Sequence, residues 1–164
     1  MVTKQLRAAA KKTNARPAKA RDASAPLDHG MLPGLLGYQL RLAQLGVFRD
    51  FERSVGALGV SPGRVGVLVI IEANAGLAQS RLAEAVGLDR STLVPLLDQF
   101  EAAGYVERRA GPDRRTNGLW LTATGKRFLR QVKNAVAAHE ARILASFAAA
   151  ERATLFELLG RLSE

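Results

Sequence analysis

Arg90, Ser91 and Thr92 follow a glycine-turned break between two amphipathic stretches, and each carries a side chain that can hydrogen-bond a base edge or a phosphate. Arg81 lies on the stretch before them. Arg108, Arg109, Arg114 and Arg115 cluster after them, around a Gly111–Pro112 turn that also holds Asp113. Guanidinium forks and hydroxyls of this kind make no covalent bonds. They suit recognition of a polyanion whose edges also carry donors and acceptors. Arginines at an exposed hairpin tip fit a minor groove, where negative potential is greatest as the groove narrows. Asp113 would repel such a partner unless it orients an arginine, so it reads as a clamp.

Other chemistries find little support. The chain has no cysteine, which removes thiol redox sensing, disulfides and cysteine-based zinc sites. Its two histidines, His29 and His139, stand far apart and read as a chain-entry residue and a helix-surface residue. There is no glycine-rich phosphate loop and no carboxylate pair in a recognisable frame. The expectation is therefore a protein that is not an enzyme, with no cofactor and no metal. Lacking a long apolar span or a secretion signal, it is expected to be cytoplasmic.

Charge agrees with a polyanionic partner. The 164 residues carry a formal +9. Lys4, Arg7, Lys11, Lys12, Arg16, Lys19 and Arg21 stand against Asp22 alone, so six of those nine charges fall within residues 1–24. Residues 1–26 have almost no large apolar side chains and are expected to form a disordered basic arm. It either adds phosphate contacts or is a solvated tail.

The elements that must hold the arginines can be read from periodicity. Leu35, Leu36, Leu40, Leu42, Ala43, Val47, Phe48 and Phe51 predict a first long helix. Ser61 as N-cap, Pro62 at the first helical position and a Val60–Val65 staple open a second, apolar on most sides and therefore buried. A third helix from Ala78 to Val86 turns at Gly87 into a fourth, about Arg90 to Ala103, capped by Asp89 or Ser91. Leu82, Val86, Leu88, Leu93 and Leu96 form the seam between them. Ala83 is small where the two helices approach. Tyr105–Arg108 and Leu119–Leu121 are the wing strands. Thr122 or Thr124 caps a long helix near Gly125, and Glu151 to Leu162 forms the last. Pro95 costs little if the fourth helix starts after Ser91 and bends it if the start is Asp89.

The segments SPGRVGVLVII, LAEAVGLDRSTLVPLLDQFEAAGYVERR and DRRTNGLWLTATG resemble the MarR family of winged-helix regulators, over residues 35–162. That resemblance maps the recognition helix onto about Arg90–Ala103 and the minor-groove arginine onto Arg115. The expected fold is mainly α with a small β-wing. A winged helix-turn-helix at 61–121 is flanked by dimerisation helices at 32–60 and 122–164. The flanking helices carry more apolar surface than a small winged helix can cover, so a homodimer on a pseudo-palindromic site in double-stranded DNA is expected.

The family resemblance also implies a repressor released by a small-molecule effector, often an aromatic carboxylate or its thioester. The segment LGYQLRLAQLGVF is similar to the first helix of members that control hydroxycinnamate or other aromatic-acid catabolism. Tyr38 and Arg41 flank its apolar stripe and could seat an aromatic acid, while Arg41 is equally suited to a salt bridge. Arg49 and Arg53 are candidates for the phosphates of a coenzyme A thioester. The competing expectation is a non-specific architectural protein of nucleoid type, which would grip phosphates alone.

Overall fold

The computed structural model describes residues 26–110 and 117–162. The basic arm up to residue 25 and Gly111, Pro112, Asp113, Arg114 and Arg115 lie outside them. Leucines and phenylalanines at helical spacing form α1 (Leu36–Ser54), which buries only Phe51. After a 3-10 turn the Ser61 hydroxyl accepts the Arg64 N–H and starts α2 (Pro62–Ala73), with Pro62 where a missing donor costs nothing. There follow β1 (Leu77–Ala78), α3 (Gln79–Val86) and α4 (Arg90–Ala102). The wing strands are β2 (Val106–Ala110) and β3 (Asn117–Leu121). Two further helices, α5 (Ala123–Ile143) and α6 (Ala149–Arg161), complete the order. Among the described residues no helix is long and apolar enough to cross a membrane.

The sheet corrects one expectation. Ala78 is not the first helical residue, because Leu77 and Ala78 add a third antiparallel strand, in the order β1-β3-β2. Leu77 pairs with Leu119 and Ala78 with Gly118, a link between distant segments that no local alternation announces. Gly87 takes φ 62° between α3 and α4, a left-handed conformation that costs glycine least.

Val67, Leu68 and Ile71 of α2 are wholly buried, together with Leu82 of α3, Leu97 of α4, Leu119 of β3, and Leu129 and Val132 of α5. The apolar α2 is thus the hub on which α3, β3 and α5 rest. Glu72 of α2 and Lys133 of α5 form an ion pair across that hub.

The junction of β3 and α5 explains the Leu-Thr-x-x-Gly pattern. The Thr122 side chain accepts from the Gly125 N–H at 2.9 Å and donates to the Gly104 carbonyl at 2.6 Å. One hydroxyl therefore caps α5 and ties it to the turn after α4. Gly125 packs so closely on the Tyr105 backbone that any Cβ would collide with its carbonyl. Tyr105 in turn stacks on Phe128 at 4.2 Å between ring centroids.

His139 also departs from expectation. It is not a surface histidine but is 2% exposed, in edge contact with Phe51 at 5.4 Å. Its Nδ1 lies 2.8 Å from a carboxylate oxygen of Asp50, which also accepts from Arg142 at 3.0 Å. An ionised carboxylate offers only acceptors, so His139 Nδ1 carries the proton. A polar group buried this deeply needs such a partner, and Asp50 supplies it from α1, 89 residues earlier.

The His139 hydrogen bond, and secondarily that of Arg142, hold the Asp50 carboxyl below its usual range. A lowered carboxylate pKa stabilises the fold above the unfolded value, about 3.9, and the benefit disappears as pH falls through the folded value. Asp50→Asn is expected to lower the melting temperature at neutral pH. The gap to wild type should close as pH drops below about 4, and a gap independent of pH would refute the linkage. Gly125→Ala should cost on the order of 1–3 kcal/mol in a denaturant titration, because the obstacle is backbone and cannot rotate away. A neutral effect would mean the junction relaxes freely.

Candidate nucleic-acid interface

With 3.6 residues per turn, Leu93, Leu97 and Phe100 fall on one side of α4 and are at most 1% exposed. Ser91, Pro95, Asp98 and Ala102 fall on the opposite side and are exposed. The first turn, Arg90, Ser91 and Thr92, stands fully in solvent at the free end of the helix. The N-cap is Asp89, although its side chain makes no capping bond, and Pro95 is accommodated inside a continuous helix. Pro95 leaves the Ser91 carbonyl without its i+4 donor, close to the residues expected to read DNA.

The two described wing arginines have different surroundings. Arg109 at the root of the wing pairs with Glu107, and its guanidinium lies 5.3 Å above the Trp120 ring. That ring packs on Gly76 and Gly118, leaving no room for a Cβ at Gly118 and a tight fit at Gly76. With its side chain 58% exposed, Arg109 retains a solvent-facing edge for a phosphate.

Arg108 turns the other way. Its side chain is 19% exposed and reaches back to α4, bonding Asp98 at 2.6 Å and Glu101. Its backbone N–H also points to Glu101, at 3.4 Å. The sequence grouped Arg108 with the DNA-facing arginines. In the structure its guanidinium bonds two carboxylates of α4.

Sequence reading missed those carboxylates, and it missed Arg64. Arg64 reaches from α2 to Gln99 of α4 at 2.8 Å and lies 5.0 Å over the Phe100 ring. The available signal was an acid pair, three residues apart, on an otherwise basic unit. Arg81 sits exposed on α3 and faces Glu84 at 3.6 Å, a solvated pair that stabilises little.

The candidate effector residues do not converge in a single chain. Arg41 lines a shallow open depression on α1 with Gly37, Leu40 and Gln44. The Tyr38 hydroxyl lies 3.1 Å from His29 Nδ1. Arg49 donates to the Leu45 carbonyl, and Arg53 faces Asp50 at 3.5 Å.

Comparison with known proteins adds independent findings. Residues 58–116 match the MarR family. A putative transcriptional regulatory protein for the hcr operon of Thauera aromatica is 41% identical over 140 residues, 84% of each chain. The transcriptional repressor CouR, bound to a 23-mer DNA duplex, is similar in structure with a TM-score of 0.81. It is 35% identical, and the match covers 85% of this chain and all of that one. CouR bound to p-coumaroyl-CoA gives a TM-score of 0.78 at 34% identity, over 85% and 99% of the two chains.

Cations and hydroxyls at this surface should separate in a salt titration. Arg90→Ala and Arg109→Ala are each expected to weaken binding to any duplex and to reduce the slope of log affinity against log salt by about one. Thr92→Ala should leave that slope alone and loosen sequence preference. If neither arginine variant changed affinity, α4 and the wing root would not touch the duplex.

Proposed function

The chain belongs to the MarR family of transcriptional regulators, and we propose that it acts as a homodimeric repressor released from a pseudo-palindromic operator by an aromatic acid or its coenzyme A thioester. The observation that carries this reading is the first turn of α4, with Arg90, Ser91 and Thr92 exposed on a helix packed against α3 and the wing strand β2. A helix seated in this way can lay its N-terminal residues in a major groove, with the wing beside it. Arg115 is assigned to the adjacent minor groove by its place in the family pattern alone, and the arm at 1–24 to phosphates by its charge.

The dimer is supported by the apolar surface this chain cannot cover. Leu36, Leu40 and Phe48 of α1 and Phe156, Leu158 and Leu159 of α6 are each 39–58% exposed. Large apolar side chains exposed together on two helices in this way are characteristic of association surfaces. A two-fold pairing would place two copies of α4 about one DNA turn, ~34 Å, apart.

Effector release is supported by the relative CouR, whose structure with p-coumaroyl-CoA is so similar to this chain. In this chain Arg41 would bind the carboxylate or thioester end, with Tyr38 against the ring and Arg49 or Arg53 toward the phosphates. A regulator of this kind works in the cytoplasm.

Fluorescence anisotropy on DNA from upstream of its own gene, titrated with aromatic acids and their coenzyme A thioesters, tests the reading. One class of compound should release the protein from a site that random DNA does not compete away. Binding that no compound relieves and random DNA abolishes would instead indicate an architectural protein.

A further inference from the structure

We propose that Arg108 is a positioning residue: it sets the orientation of α4 through Asp98 and Glu101, and does not contact DNA itself. The proposal rests on reading α4 as the helix that enters the groove. Hydrophobic contact through Leu93, Leu97 and Phe100 holds α4 onto the core, but such contact is non-directional and tolerates small rotations. Charge-assisted hydrogen bonds are directional, and a guanidinium can hold two carboxylates at once through separate N–H groups. Arg108 supplies that guanidinium from β2, so the wing and the recognition helix are locked to each other.

The location of the acids makes the arrangement informative. Asp98 lies on the same outward line of α4 as Ser91, and its side chain is 58% exposed. A carboxylate there faces the approaching phosphates and, left unpaired, would repel them. Arg108 offsets that charge. Arg64 holds the opposite flank through Gln99. The grips fall at positions 98, 99 and 101, leaving the turn at 90–92 clear.

D98N/E101Q separates positioning from simple electrostatics by the sign of its effect, and Arg108→Gln by its salt slope. The probe is a duplex that the wild-type protein enriches from a random-sequence pool, with a scrambled duplex as control. Removing two acids from a DNA-facing helix should, on charge alone, tighten binding to both duplexes. If Arg108 positions α4, D98N/E101Q should bind the enriched duplex roughly tenfold more weakly, about the cost of one mismatched base pair. Its binding to the scrambled duplex should hold or improve.

Arg108→Gln should show the same loss on the enriched duplex with an unchanged salt slope. Tighter binding of D98N/E101Q to both duplexes would overturn the proposal. So would a fall of about one in the salt slope for Arg108→Gln, which would make it a phosphate contact. If Arg108→Gln does not fold, Arg108→Lys keeps the charge but not the fork, and should lose sequence preference at constant slope. Unaltered preference in Arg108→Lys would also overturn it. A wild-type chain that enriches no sequence would instead refute the underlying reading of α4.

Discussion

Leu93, Leu97 and Phe100 of α4 enter a common core with Leu68 and Ile71 of α2 and Leu119 of β3, and every one of these side chains is at most 1% exposed. Burial of that one stripe decides which side of α4 meets solvent, and so which residues any partner can meet. The remaining features of the reading unit depend on it. Gly87 turns the chain so that α4 can lie across α3, and the three-stranded sheet braces its far end. Thr122 and Gly125 then lock the start of α5 against the turn that follows α4. Because apolar burial leaves rotation about the helix axis soft, polar grips from Arg64 and Arg108 complete the seat.

Signals carried by neighbouring residues were legible in the sequence. The Ser61–Pro62 helix start, the Gly87 turn and the Thr122 cap each act within four residues, and the structure has all three. The apolar periodicity of α2 likewise announced a buried hub. What the sequence could not disclose is pairing across distance. The two residues of β1 become a strand only because β3 passes beside them. His139 looks like one polar residue on an amphipathic helix until Asp50 meets it from α1. Arg108 is one arginine among several until α4 brings two carboxylates within reach. The turn at Arg90–Thr92 is exposed, whereas the candidate effector residues Tyr38, Arg41, Arg49 and Arg53 are spread along α1.

That spread matches the uncovered surface at the two ends of the chain. The winged-helix part satisfies its own apolar residues, whereas α1 and α6 leave large leucines and phenylalanines in solvent. Symmetric association would remove that surface from water, give α1 an opposing wall for a ligand, and fix the spacing of two recognition helices. Asp50, His139 and Arg142 join α1 to α5 through side-chain hydrogen bonds and one aromatic edge contact.

In the proposed repressor, two copies of α4 related by two-fold symmetry read DNA sequence. Enrichment of duplexes from a random pool by the full-length protein, followed by sequencing, measures this most directly. A two-fold dimer should select an inverted repeat with half-site centres about 10 base pairs apart. No enriched sequence, or a lone half-site without its inverted partner, would contradict it.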